Sequence, residues 1–451
     1  MLSRTVLLGL LCVSVWACND NVAQLVYSTR VVNGDNGNPA AGTDATALVI
    51  GVQQADLPAD EYPPFPIEDG QFDAVLELRS SAVRTRVRVT IEGPTTELLT
   101  APPAFFPGAS QGFIRVVTAP PSSCERVSFN LLEAPRAYFG MVQSGTFALV
   151  VGGTAPTNDQ FEFFDALQWD SRLFSQTLPP DNLGETRAAS IDEVEILVLP
   201  TESPPFIFSM ANEDDRYTEV ELHDGAGPRS ALVSVPGVGA MVIGGEVAGE
   251  AQTGVSLVDP EGNVTFLELR EPRSGPAATA LGTDVLVVGG NVEGNAEILL
   301  EGASRGQPIA GVMDGVREAG LLVGDGERRA LWIGGTDATA TVRQDTVRFD
   351  DCPVSCASSA GPPWTSARLG ALQPAGSALV IGGVGSRLVD EVRWDGADVA
   401  IEQLLELDVA RAGAGGIVLE SGAFIVAGGD DGTGAQRQDF EFCVPAALEP
   451  L

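Results

Sequence analysis

Short apolar runs that stop at paired glycines punctuate the chain: ALVVGGT at 148–154, then AMVIGGE from 240, VLVVGGN from 285, ALWIGGT from 330, ALVIGGV from 378 and FIVAGGD from 424. Each run has the length of one buried strand. Nowhere does an apolar stripe persist at helical spacing, and clusters of Gly, Pro, Asn and Asp separate the runs instead. The pattern predicts an all-β chain in which one unit is repeated.

The glycine pairs are Gly152 and Gly153, Gly244 and Gly245, Gly289 and Gly290, Gly334 and Gly335, Gly382 and Gly383, and Gly428 and Gly429, so the last four steps are 45, 45, 48 and 46 residues. The first step, 92 residues, is twice the period. It places a degenerate unit near 198, where EILVLPT carries Leu199 and Pro200 in place of glycines, and the count becomes seven. Between 12 and 17 residues before each pair stands an arginine followed by small residues: Arg136, Arg187, Arg229, Arg273, Arg317, Arg368 and Arg411. After most pairs a third strand ends in an apolar or aromatic residue and an aspartate, as in Phe164-Asp165, Val258-Asp259, Phe349-Asp350 and Trp394-Asp395. A fourth strand leads to the next arginine, with Trp364 four residues ahead of Arg368.

This pattern resembles the kelch repeat, whose units carry a double glycine ending the second strand, a tyrosine-aspartate in the third and a tryptophan in the fourth. The resemblance covers about residues 124–445, with Phe, Val or Trp in place of the tyrosine and no glycine pair in the second unit. A period of about 40–50 residues with four strands marks a propeller blade, which cannot bury both faces alone. The expected fold is a seven-bladed β-propeller, its glycines serving tight turns and close backbone approach. Phosphate cradling is disfavoured, because no pair opens a helix or is followed by Lys-Ser or Lys-Thr. The arginines are expected to pair with a carboxylate or strand carbonyl of an adjacent blade; the rival expectation is an anion site in the channel.

Residues 23–118 lack the repeat. VRTRVRVTI at 83–91 alternates, with Val83, Val87, Val89 and Ile91 on one face and Arg84, Arg86 and Arg88 on the other. With the strand patterns around it, this predicts a small β-sandwich, distantly similar to prealbumin-like or Ig-like modules. APPAFFPG at 101–108 and APPSS at 119–123 mark bends and a junction. NGDNGN at 33–38 and DDGTG at 430–434 offer oxygen ligands, but read as turns before calcium sites.

The first residues read as an export signal, spanning 1–17: Arg4 precedes TVLLGLLCVSVW, which is too short to cross a bilayer comfortably. VWAC at 15–18 resembles the bacterial lipobox, which implies lipid on Cys18, and Asn19 resembles outer-membrane sorting. The expected address is the bacterial envelope, with an ordinary secreted protein as the rival.

Six cysteines are present; beyond Cys12 in the signal and Cys18, the remaining Cys124, Cys352, Cys356 and Cys443 are an even number in an exported chain. Cys352 and Cys356 flank one turn, and Cys443 in RQDFEFC parallels Cys352 in TVRFDDC. The parallel pairs Cys124 with Cys443 and has the segment CERVSFN complete the last blade, removing an open edge. Free buried thiols are the alternative. A C-x3-C half-site for metal is disfavoured without a neighbouring histidine.

A net charge of −35 with no lysine argues against nucleic acid and acidic membrane surfaces as partners. Membrane contact is expected through the lipid alone. Catalytic groups are few: the single histidine, His223, stands in ELHDGAG and reads as a surface residue, and with four tyrosines the two-histidine copper chemistry of some kelch proteins is excluded. No catalytic residue, metal or cofactor is expected. The functional expectation is a monomeric, non-enzymatic lipoprotein whose propeller binds a protein or glycan; the competing one is an envelope hydrolase or lyase using carboxylates at the propeller mouth.

Overall fold

The computed structural model describes residues 24–446 apart from 33–39, 41–42, 55–59, 62–63, 68–73, 80–84, 101–111, 130, 155–160, 167–168, 174–182, 211–215, 228, 291–295 and 310–316. The leader, Cys18, NGDNGN, APPAFFPG, Val83 and Arg84 lie outside the described residues. The described chain is all-β, in small and mostly antiparallel sheets.

Two sheets precede residue 118. In one, Gln24–Val32 lies between antiparallel Ala74–Arg79 and parallel Gly112–Val117. In the other, Ala47–Gln54 pairs with Thr85–Glu92, which pairs with Glu97–Thr100. Alternation sets the faces of Thr85–Glu92: Val87, Val89 and Ile91 are buried against Leu48, Ile50 and Val52, while Arg86 is exposed and Arg88 half-buried.

Among the described residues seven further sheets follow. The first runs from Gly140–Ser144 to Asp170–Leu173, the second from Thr186–Ser190 to Tyr217–Glu219, and the third from Ala231–Val235 to Val264–Arg273. The fourth spans Ala277–Leu281 to Gln307–Ile309, and the fifth Glu318–Gly324 to Ala357–Ala360. The sixth holds Leu379–Ile381, Leu388–Asp395 and Asp398–Glu406, with Leu372 bridged to Ile381 at its inner edge. The seventh takes Gly415–Val418, Phe424–Ala427 and Phe440–Val444 from the C-terminal side, and Ser123–Val127 as its fourth strand.

The second strands read as unbroken apolar runs because both of their faces are covered. Val150 of the first sheet packs with Ile425 and Phe440 of the seventh, whereas its neighbours Leu149 and Val151 pack with Ile196 and Val198 of the second. The same division recurs onward: Leu197 with Val242, Ile243 with Val287, Leu286 with Trp332, Ile333 with Val380, and Ile381 with Val426. One apolar cluster thus lies between each sheet and the next, and the series returns from the seventh sheet to the first. Val117 and Ala119 are fully buried in the seventh-to-first cluster, so the stretch expected to be a junction is packed into it.

Cys443 stands opposite Cys124 in the strand register and is disulfide-bonded to it, with Cα atoms 4.0 Å apart. A second disulfide joins Cys352 to Cys356 across the turn after Val347–Asp350.

Candidate functional site

Strand register defines one arginine position per sheet. Opposite the last residue before the first glycine stand Gly140, Ala277, Leu321, Leu372 and Gly415, and four residues earlier come Arg136, Arg273, Arg317, Arg368 and Arg411. In the second sheet Ala188 faces Val198, so the equivalent residue is Gly184; in the third Ala231 faces Ile243, and it is Gly227. Main-chain bonding agrees, since the Gly153 N–H donates to Gly184 O as Gly290 donates to Arg317 O and Gly429 to Arg136 O. Arg187 and Arg229 therefore lie three and two residues beyond the position, and the expectation of one equivalent arginine in every unit is corrected to five. Loop lengths vary by such amounts, so linear spacing does not separate the two classes.

The five arginines close a clip within their own sheet rather than with an adjacent one. Arg136 pairs with Glu162, Arg273 with Glu297 at 3.1 Å, Arg368 with Asp390 at 2.6 Å and Arg411 with Glu441 at 2.8 Å. These carboxylates stand opposite Val150, Val287, Val380 and Val426, two residues before the first glycine. In the fifth sheet Val347 holds that place and Asp345 pairs with Arg317 instead, beside a cation–π contact of Arg317 over Trp332 at 4.5 Å. The guanidinium also donates to the first glycine's carbonyl: Arg136 Nη1 to Gly152 O at 3.0 Å, Arg273 Nη1 to Gly289 O at 2.7 Å, Arg411 Nη1 to Gly428 O at 2.6 Å. The carboxylate accepts main-chain N–H groups from the incoming loop, Glu133 onto Glu162, Arg270 and Glu271 onto Glu297, and Asp408 onto Glu441. Trp364, after the fourth strand, donates to Asp390 at 2.8 Å. Burial pushes Arg136 and Arg273 below the usual arginine range, and the charges of Glu162 and Glu297 work against it.

His223 makes the third sheet's version. Ser256 stands opposite Val242, at the carboxylate's place, and its hydroxyl lies 2.9 Å from His223 Nδ1 and accepts the His223 N–H at 2.8 Å. Nε2 lies 2.9 Å from Gly244 O, the first-glycine carbonyl. A carbonyl only accepts, so Nε2 carries a proton, and burial disfavours a second one on Nδ1. Burial holds the His223 pKa below its ordinary value. The expectation of a surface histidine is thereby corrected. The second sheet has Ile207 opposite Leu197 and makes no such pair.

A cavity of about 600 Å³ is walled by the inner strands of all seven sheets, mostly by Gly, Ala, Ser and Thr. Where these strands begin, one residue per sheet forms a rim: Tyr138, Thr186, Arg229, Gly275, Ala319, Gly370 and Gly413. All but Thr186 are left-handed, with φ of 55°, 66°, 69°, 53°, 65° and 58° in that order. For Tyr138, Arg229 and Ala319 such a φ is uncommon and is held by the surroundings. The rim is laced by main-chain bonds from Gly413 to Gly370 O, Tyr138 to Gly413 O, Thr186 to Tyr138 O, Gly275 to Arg229 O and Ala319 to Gly275 O, at 2.6–3.1 Å.

Of the two displaced arginines, Arg187 alone lines the cavity. Arg229 lies at the rim, bonded through Nε to Glu246 at 3.0 Å and Ser274 at 2.7 Å and through Nη2 to Glu318. Arg187 lies in the wall, donating to Ser230 O, Gly227 O and, at 3.1 Å, Ser230 Oγ of the third sheet. Among the described residues no carboxylate comes within 4.0 Å of it, and burial pushes its pKa down to about 10.

The other candidates take structural places. Arg86 pairs with Glu420 of the seventh sheet at 3.4 Å. Asp430 and Asp431 accept N–H groups of their own turn, from Gly432 at 2.7 Å and Thr433 at 2.9 Å.

No protein-family model matches this chain, and neither does any curated protein. Among solved structures, one described as the structure of YjhT aligns over 69% of this chain and 95% of its own, at 11% identity and a TM-score of 0.42. Likeness at that level carries no argument about function.

Proposed function

We propose that this chain is a non-enzymatic envelope lipoprotein: lipid on Cys18, a β-sandwich over 23–118, and over 124–445 a seven-bladed kelch-like β-propeller whose cavity and rim bind a protein or glycan. The ring reading is supported by the apolar clusters that run from sheet to sheet and back to the first, and by the Cys124–Cys443 bond within the seventh sheet. The observation that carries the binding reading is the cavity of about 600 Å³ with its hydrogen-bonded rim. That volume lies within the range of small-molecule sites, about 300–1,000 Å³. Binding rather than catalysis is favoured because both ring nitrogens of His223 are engaged, and because Glu246 and Glu318 at the rim are each ion-paired with Arg229.

A photo-crosslinking residue at Tyr138, on the rim, and another at Gly376, at the far ends of the inner strands, test it in intact cells. Adducts of defined mass from position 138 alone support the reading, and no adduct from either position contradicts it. Labelled palmitate incorporation that survives Cys18→Ala removes Cys18 as the lipid site, and no incorporation into the unsubstituted chain removes the lipid anchor from the account.

A further inference from the structure

Arg187 is the arginine that the clips leave over. In the second sheet the clip places hold Gly184 and Ile207, and in the third the arginine place is Gly227, whose carbonyl accepts from Arg187. Its fixed partners are a carbonyl of Gly227, a carbonyl of Ser230 and the Ser230 hydroxyl. These occupy three N–H donors of the five that a guanidinium carries. The remaining donors have no hydrogen-bond partner among the described residues, and the charge is offset only in part, by that of Glu185, in the wall of a cavity lined mostly by small and neutral side chains.

We propose that Arg187 anchors a carboxylate-binding site in the central cavity, taking the acid group of a small hydroxylated organic acid of the uronic acid class. The proposal rests on reading the cavity as the binding site. A half-buried guanidinium with no carboxylate in ion-pair contact is costly, and a ligand carboxylate that accepts one of its two remaining N–H groups, on Nε or Nη1, relieves that cost. Hydroxyls and amides elsewhere on the wall, from Ser190, Ser234, Thr279, Gln143 and Gln373, suit the ligand's own hydroxyls. One guanidinium with two donors left fits a monoanion. A dianionic phosphate needs more donors and is repelled more strongly by a chain of net charge −35.

Calorimetric titration of the full mature protein with glucuronate, glucose and inorganic phosphate tests the site, beside the variants Arg187→Gln and Arg187→Lys. Glucuronate is expected to bind saturably, glucose not at all, and phosphate more weakly than glucuronate. Arg187→Gln is expected to weaken glucuronate by at least about tenfold, with the unfolding temperature unchanged. Should that variant fail to fold, Arg187→Lys decides: it keeps the charge but loses the guanidinium that is fixed to the wall with directed N–H groups to spare, and full affinity in it overturns the proposed geometry. Absent glucuronate binding, equal affinity in Arg187→Gln, or phosphate binding tighter than glucuronate overturns the proposal. If rim crosslinks at position 138 persist while glucuronate fails, only this inference falls; if both fail, the binding reading falls with it.

Discussion

Five of the seven sheets carry a clip of arginine and carboxylate, and the second and third do not. In four of the clipped sheets the guanidinium joins the first-glycine carbonyl to a carboxylate of the third strand, and in the fifth sheet Arg317 is held by Asp345, just ahead of that strand. The third sheet achieves a similar join with neutral groups, His223 and Ser256, and the second does without, filling the place with Ile207. The two arginines of this sector are consequently free to stand at the cavity and its rim. A repeat tolerates loss of its internal tie where neighbouring sheets still cover both apolar faces, and the side chain so released is the one available for binding.

The largest expected effect comes from breaking a clip. Glu297→Ala leaves Arg273 charged and buried, and should cost about 3–5 kcal/mol in denaturant unfolding. The double change Arg273→Met with Glu297→Leu puts apolar groups at both places, as Ile207 does at one place of the second sheet, and should recover most of that loss. Recovery sharpens the contrast between sheets; a double variant as unstable as the single one breaks it. Ser256→Ala should cost less, about 1–2 kcal/mol, because it removes neutral hydrogen bonds only.

The smallest effect is one of pH. His223 has a folded pKa below its unfolded value, so the unfolded chain binds the proton more readily and stability is full above the unfolded pKa of about 6.5. Stability should decline as pH falls below that point, and His223→Gln should flatten the slope below about pH 6.5. A slope that persists in the variant places its origin elsewhere. At lower pH the clips respond in turn: Asp345, held down to about 2 by its hydrogen bonds from Arg343 and by Arg317, contributes stability that is present above about 4 and lost toward 2.

The all-β character was legible because each apolar run is strand-length and bounded by turn residues. The carboxylate partners were not drawn from the sequence, although a signal exists. Glu162, Glu297 and Glu441 sit second in their third strands, within FEFFD, AEIL and FEFCV, where an acidic residue among buried neighbours calls for a cation. The mismatch of Arg187 and Arg229 was illegible for a different reason: a shift of two or three residues is visible only in the pairing of strands, as with Ala188 opposite Val198.

The account's central claim is that the seven sheets close on themselves with the last one built from both ends of the region. Non-reducing peptide mapping of the mature protein tests it most directly. The predicted result is one peptide pair joining Cys124 to Cys443 and another joining Cys352 to Cys356. A bond from Cys124 to Cys352 or Cys356, or four free thiols, would contradict it.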